Sequence, residues 1–367
     1  MSLQYLLERS RLVYQPESER NYHIFYQLCA GAPSSERKDL GLDDASAFFY
    51  LNQGGDAKIA GVNDAEEFRA TQKALSTVGL TIEKQWQIFR LLAALLHLGN
   101  VQITAARSDS MISEDEPSVF IASRMLGIEA FEFKKWITKK QITTRGEKII
   151  SNLSLAQATA VRDSVSKYIY SSLFDWLVMQ MNTSLALGSQ AVKKSMIGVL
   201  DIYGFERFKV NSYEQFCINY ANERLQHEFN EHVFKLEQQE YMQEKIQWTF
   251  IDFSDNQPTI DMIESKLGVL SLLDEESRLP SGSDSSFLTK LFTQLDRRPE
   301  FKNSFKHPRF GNSSFTVCHY ALDVTYEVEG FLEKNRDTVP DEQLALLQAT
   351  NNPFLREVFD AAAAATQ

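Results

Sequence analysis

Apolar residues recur along most of this chain at intervals of three and four, the spacing of helices with one buried face. Trp86 to Leu98 is apolar on nearly every side, which predicts a buried helix stopped by Gly99-Asn100. Asn63-Asp-Ala-Glu-Glu-Phe opens another helix, with Asn63 as cap and acids in the first turn to complement the dipole. Leu155 to Asn182 predicts a long amphipathic helix. The longest pattern comes later: Phe216, Tyr220, Phe229, Val233 and Leu236 continue to about Gln243. Asn211-Ser-Tyr-Glu precedes it as a capping-box-like start in which Glu214 can reach back. Roughly thirty helical residues at 1.5 Å rise would make a rod on the order of 45 Å long.

Asp255-Asn-Gln-Pro interrupts the pattern. A helix from about Thr259 to Leu273 follows, with Ile260, Ile263, Leu267 and Leu270 on one face. After the loop Arg278-Leu-Pro-Ser-Gly-Ser, residues Phe287, Leu288, Leu291, Phe292 and Leu295 repeat at helical spacing. Together these predict a helical hairpin with an exposed Leu279-Pro280 tip. Residues 106–117 are polar and read as a surface loop, and 138–150 as a protruding hairpin or loop around Gly146. Phe315 to Val328 alternates as strands do, and the alanine-rich tail beyond Asn352-Pro353 is expected to fray.

One short run carries candidate chemistry. Met196-Ile-Gly-Val-Leu-Asp-Ile-Tyr-Gly-Phe-Glu reads as a buried parallel strand that delivers Asp201 and the Gly204 amide to a sheet edge. In nucleoside triphosphatases such an acid serves Mg²⁺ through water, and bare backbone approaches the terminal phosphate. By itself the D-x-x-G pattern also describes a strand end with a turn glycine. None of the sixteen glycines is followed by lysine, so the chain contains no G-x-x-x-x-G-K-[ST] phosphate loop.

Composition narrows the class. A length of 367 residues allows two packed subdomains, and 43% hydrophobic with 24% charged residues suits a soluble globular chain. A net charge of −11 disfavours nucleic-acid binding. The exception is local: Arg297, Arg298, Lys302, Lys306 and Arg309 face one acid, Glu300, between residues 297 and 309, with Phe301, Phe305 and Phe310 interleaved. Cys29, Cys217 and Cys318 are too few and too scattered for a disulfide framework or zinc site, which suits a reducing cytosol. The apolar run Leu91 to Leu98 is too short to span a bilayer. His23, His97 and His319 read as core or surface residues, not metal ligands.

Several of these pieces, in this order, resemble the myosin motor head. Leu96-His-Leu-Gly-Asn, Asp201-Ile-Tyr-Gly-Phe-Glu, Glu214-Gln-Phe-Cys-Ile-Asn-Tyr-Ala-Asn-Glu and Gly330-Phe-Leu-Glu-Lys-Asn are similar to myosin signatures. Tyr5-Leu-Leu-Glu-Arg-Ser-Arg-Leu-Val and Glu19-Arg-Asn-Tyr-His-Ile-Phe-Tyr-Gln-Leu resemble the segment after switch I. Gln53-Gly-Gly and Trp248 to Pro258 look most like class V, with a fungal source expected. The resemblance implies an α/β, mainly α-helical piece of the myosin P-loop NTPase fold, lacking its P-loop. It implies an upper 50-kDa subdomain over 1–194, with an actin loop at about 138–150. Residues 195–367 would hold the switch II strand, relay helix and lower actin-binding subdomain. The chain is expected to be an excised piece of a longer heavy chain.

Roles follow from the same resemblance. Asp201 would approach Mg²⁺ through water, the Gly204 amide would bind the γ-phosphate, and Glu206 would pair with a switch I arginine outside this sequence. The helix from Asn211 resembles the relay helix, and residues 247–258 the relay loop. Actin contacts are implied for Glu147 and Lys148, for Leu279 and Pro280, and for Lys302, Lys306 and Arg309. Glu147 lies where myosins carry an acid or a phosphorylatable hydroxyl, and an acid there implies activity without phosphorylation at that site. The implied cofactors are ATP and Mg²⁺ in the complete motor, with none expected on this piece. The implied partners are the actin filament, the converter and lever arm, and calmodulin-type light chains, in the cytoplasm on the actin cytoskeleton. An ATP-independent actin-binding or scaffold module is the alternative.

Overall fold

The computed structural model describes residues 7–15, 19–55, 57–107, 109–144, 147–186, 197–279, 282–308, 313–336 and 338–365. It divides into two compact units, Met1–Met196 with Thr338–Gln367, and Ile197–Asp337.

In the first unit, α1 (His23–Gly31) and α2 (Ser34–Asp39) lead to α3 (Asp64–Thr77). The Asn63 carboxamide oxygen accepts from the amides of Ala65 and Glu66, the cap that the sequence predicts. The core helix α4 (Ile82–Asn100) buries every residue from Leu91 to Gly99, because apolar side chains surround it on all sides. Gly99 is required there: a Cβ would sit 2.7 Å from the Tyr50 ring. That close approach accompanies a hydrogen bond from the Tyr50 hydroxyl to Asp163 at 2.6 Å. The polar stretch after α4 is not all loop, since β1 (Thr104–Ala106) and β2 (Asp109–Met111) pair antiparallel within it. Pro117 then starts α5 (Pro117–Leu126), followed by α6 (Ala130–Thr138). The predicted hairpin forms from β3 (Lys139–Thr144) and β4 (Glu147–Asn152), with Thr144 opposite Glu147. α7 (Leu155–Ala186) completes the run.

The second unit opens differently from expectation. Residues 197–206 form no strand, and Ile197 and Val199 are 99% and 98% exposed. A parallel strand needs neighbours for its backbone groups, and among the described residues none pairs with this segment. The buried strand ending at Asp201 is therefore not formed, and the corner after it lies at no sheet edge among those residues.

The rod does begin where predicted. α8 (Tyr213–Asn230), a π turn (Glu231–Leu236) and α9 (Glu237–Gln243) continue without interruption. Its cap differs in detail: the Gln215 carboxamide, not Glu214, accepts from the Ser212 amide at 3.0 Å. Glu214 instead accepts from Lys334 at 2.7 Å.

Two helices, α10 (Gln257–Glu264) and α11 (Val269–Arg278), stand where one was expected. Leu267 takes φ 128°, and a Cβ on Gly268 would lie 2.4 Å from the Met262 carbonyl oxygen, so the helix cannot run through. α12 (Asp284–Leu295) closes the predicted hairpin, and β5 (Phe305–Lys306), β6 (Ser314–Cys318) and β7 (Asp323–Glu327) form an antiparallel sheet. α13 (Phe331–Arg336) follows. Phe216, Phe287, Phe315, Tyr326 and Phe331, all fully buried, build the core of this unit mostly edge to face.

The chain then returns to the first unit as α14 (Asp341–Gln348) and α15 (Pro353–Ala365), whereas the sequence reading kept 195–367 together. The tail is a packed helix over its first turns. Asn352 accepts from the amides of Phe354 and Leu355, and Phe354, Leu355, Val358 and Phe359 are buried. Among the described residues the structure is mainly helical with three small sheets. None of its helices there is long and apolar enough to cross a membrane.

Candidate functional site

The corner from Tyr203 to Glu206 is held by α8. Asn222 donates to the Tyr203 carbonyl at 2.9 Å. Asn219 grips the Glu206 backbone twice: its oxygen accepts from the Glu206 amide, and its nitrogen donates to the Glu206 carbonyl, both at 2.7 Å. Phe205 packs edge-on against His319 and Tyr320, with centroids 5.4 and 5.6 Å away. The Glu206 carboxylate is half-buried and lies 3.5 Å from the Gln215 nitrogen, the outer limit of a hydrogen bond.

Asp201 and Gly204 are exposed. A Cβ at Gly204 would meet nothing within 4 Å, so no contact described in this chain requires a glycine there. Asp201 supplies one accessible carboxylate, and among the described residues no three His, Cys, Asp or Glu gather into a metal cluster. One exposed carboxylate fits a water-mediated contact to a cation held mainly by other groups, and an exposed backbone fits approach of a phosphate.

The residues expected to face actin fall on separate elements. Glu147 and Lys148 open β4, paired with Thr144 and Thr143; nothing is described of the Glu147 side chain. Leu279 follows the last turn of α11 and is 38% exposed. Lys302 is exposed after the turn Pro299–Phe301. Lys306 already pairs with Asp323 at 2.5 Å across the β5–β6–β7 sheet, which raises its pKa. Pro280 and Arg309 lie outside the described residues.

Sequence reasoning missed a buried polar group under the corner. Glu223 and His319 are both fully buried and their side chains meet at 2.8 Å, while Tyr326 and Asn256 bond to them from either side. The signal was available: Asn219 and Glu223 fall three and seven residues after Phe216, on the stripe that the rod turns inward. A carboxylate on an apolar stripe calls for buried partners.

The family model for the myosin head (motor domain) matches residues 2–367. Myosin-2 of Saccharomyces cerevisiae is 60% identical over 359 residues, covering 97% of this chain and 23% of that protein. Myosin-4 of the same yeast is 56% identical over 359 residues, covering 97% of this chain and 24% of that protein. Myosin-52 of Schizosaccharomyces pombe is 52% identical over 358 residues, with 96% and 24% covered. The chain thus spans about a quarter of the length of the curated relatives it matches. A family model matched from end to end, together with relatives of this identity, places the chain in the myosin head (motor domain) family.

Proposed function

We propose that this chain is the phosphate-sensing and actin-binding portion of an actin-based motor whose complete head hydrolyses MgATP. The observation that carries the reading is the double grip of Asn219 on the Glu206 backbone. It ties the acid-and-glycine corner to the first turns of a rod that runs unbroken from Tyr213 to Gln243. A displacement of the corner is thereby passed to a long rigid element.

In this reading Asp201 holds Mg²⁺ through water and the Gly204 amide faces the terminal phosphate. The metal, when bound, supplies neutralisation of phosphate charge. Glu206 orients the attacking water with an arginine from elsewhere in the protein. Residues 197–200, apolar and exposed, take up strand pairing with the rest of the head. The two-jaw organisation belongs to the same proposal, with the returning helices α14 and α15 counted with the first unit and not with the lower jaw. So do class V-like membership, calmodulin-type light chains on the neck, and a cytoplasmic place on the actin cytoskeleton. Glu147, Lys148, Leu279, Pro280, Lys302, Lys306 and Arg309 are assigned to actin. The exposed cations suit an acidic filament surface, and Leu279 supplies apolar contact.

A second reading holds for the chain by itself. Because no glycine precedes a lysine, it contains no phosphate loop, and alone it acts as an ATP-independent actin-binding module. Both readings are tested by ATP turnover and co-sedimentation with actin filaments. The chain alone should pellet with filaments and show background turnover, whereas the full-length protein should show actin-stimulated turnover. A full-length protein that neither pellets nor turns over ATP would refute the motor assignment.

A further inference from the structure

The buried polar group beneath the corner is a connected set of hydrogen bonds, in which Asn256 Nδ2 also donates to the Glu223 backbone carbonyl at 2.9 Å. Asn219 Nδ2 donates to the Tyr326 hydroxyl at 2.9 Å, and that hydroxyl lies 2.8 Å from His319 Nε2. His319 Nδ1 lies 2.8 Å from Glu223 Oε2. Asn256 Nδ2 donates to Glu223 Oε1 at 2.7 Å, and the Tyr320 amide donates to Oε2 at 3.1 Å. The directions follow the His319 tautomer: with its hydrogen on Nδ1 toward the carboxylate, Nε2 accepts from the Tyr326 hydroxyl, whose oxygen accepts from Asn219.

Every neighbour of the Glu223 carboxylate is therefore a donor. At the far end, the Asn256 carbonyl accepts from the amides of Thr259 and Ile260, the first turn of α10. At the near end, Asn219 holds both backbone polar groups of Glu206.

We infer that Tyr326, His319 and Glu223 are positioning residues that lock the Glu206 backbone to the first turn of α10, so that the corner and that turn shift together. The inference rests on the proposed function only for what that shift would serve. Its test involves neither ATP nor actin, so failure of the link and failure of the motor reading are separately visible.

Two nearly isosteric substitutions test it. Tyr326→Phe removes the central hydroxyl. Glu223→Gln must set an NH₂ against one of three donors, which breaks or reverses the chain without changing side-chain volume. Amide hydrogen exchange is then followed in the 367-residue protein. In both variants exchange at Glu206 and at Thr259 and Ile260 should accelerate by about tenfold, while Phe287 to Leu295 in α12 keeps its rate. Acceleration confined to the neighbours of the substituted residue would overturn the inference. Equal acceleration throughout α12 would also overturn it, since that is the mark of packing alone, as would no change at either end.

Discussion

Asn219 holds the backbone of Glu206 on both sides of its Cα, accepting from the amide and donating to the carbonyl at 2.7 Å each. A side-chain amide is the one group of this size that mirrors a peptide's donor and acceptor, and Asn219 is fully buried while doing so. The grip makes the corner part of the rod, although the corner itself is neither helix nor strand.

Replacing that carboxamide should loosen the second unit. Asn219→Ala removes both hydrogen bonds from this side chain to the Glu206 backbone and one of the two on the Tyr326 hydroxyl, at a cost of about 2 kcal/mol. Urea unfolding of the variant against the parent measures it. A loss below about 0.5 kcal/mol would mean that water replaces the grip without penalty.

Two glycines should differ in their response to the same change. Gly99→Ala drives a methyl into the fully buried Tyr50 ring and should destabilise the first unit by about 1–3 kcal/mol. Gly204→Ala has open space and should alter stability by less than about 0.5 kcal/mol. In the motor proposed above, however, Gly204→Ala should impair hydrolysis by crowding the amide assigned to the terminal phosphate. A normal burst of phosphate in that variant would remove the role assigned to Gly204.

Acid should expose the Glu214–Lys334 pair. Burial works to raise the Glu214 pKa, but the Lys334 ammonium at 2.7 Å and the Ser212 hydroxyl outweigh it and hold the carboxyl below the ordinary 4.5. A depressed folded pKa contributes stability above the unfolded value and loses it as pH falls through the folded one. The stability difference between the parent and Lys334→Met should therefore be largest near neutral pH and shrink below the ordinary value of 4.5. A difference independent of pH from 7 down to about 3 would show that the pair is not coupled to folding.

The returning helix α15 should be essential to the first unit. Phe354 meets the Trp176 ring edge-on at 5.0 Å, and the Trp176 indole nitrogen donates to Glu357 at 3.0 Å. Phe354→Ala should cost about 3–5 kcal/mol and shift the Trp176 emission toward longer wavelength as water reaches the indole. Unchanged thermal unfolding would restore the view of this segment as a frayed tail.

Local pattern was enough to determine much of this protein. The positions of α3, α4, α7, the rod and α12 follow from helical periodicity, caps and stop signals, which act within a few residues of each other. The β3–β4 hairpin and the alternation that became β6 and β7 were legible for the same reason. The motifs that mark the family are likewise contiguous runs of sequence.

What only the tertiary structure decided depends on partners distant in sequence. Whether 197–206 becomes a strand is settled by the presence of neighbouring strands, which no property of Ile197 to Leu200 supplies. The burial of α15 comes from Trp176 and its surroundings on α7. Glu223 and His319 are 96 residues apart, so their meeting could not be read from spacing. Periodicity reports which face of an element is buried, whereas hydrogen-bond pairing and close contact depend on which other element comes to cover it.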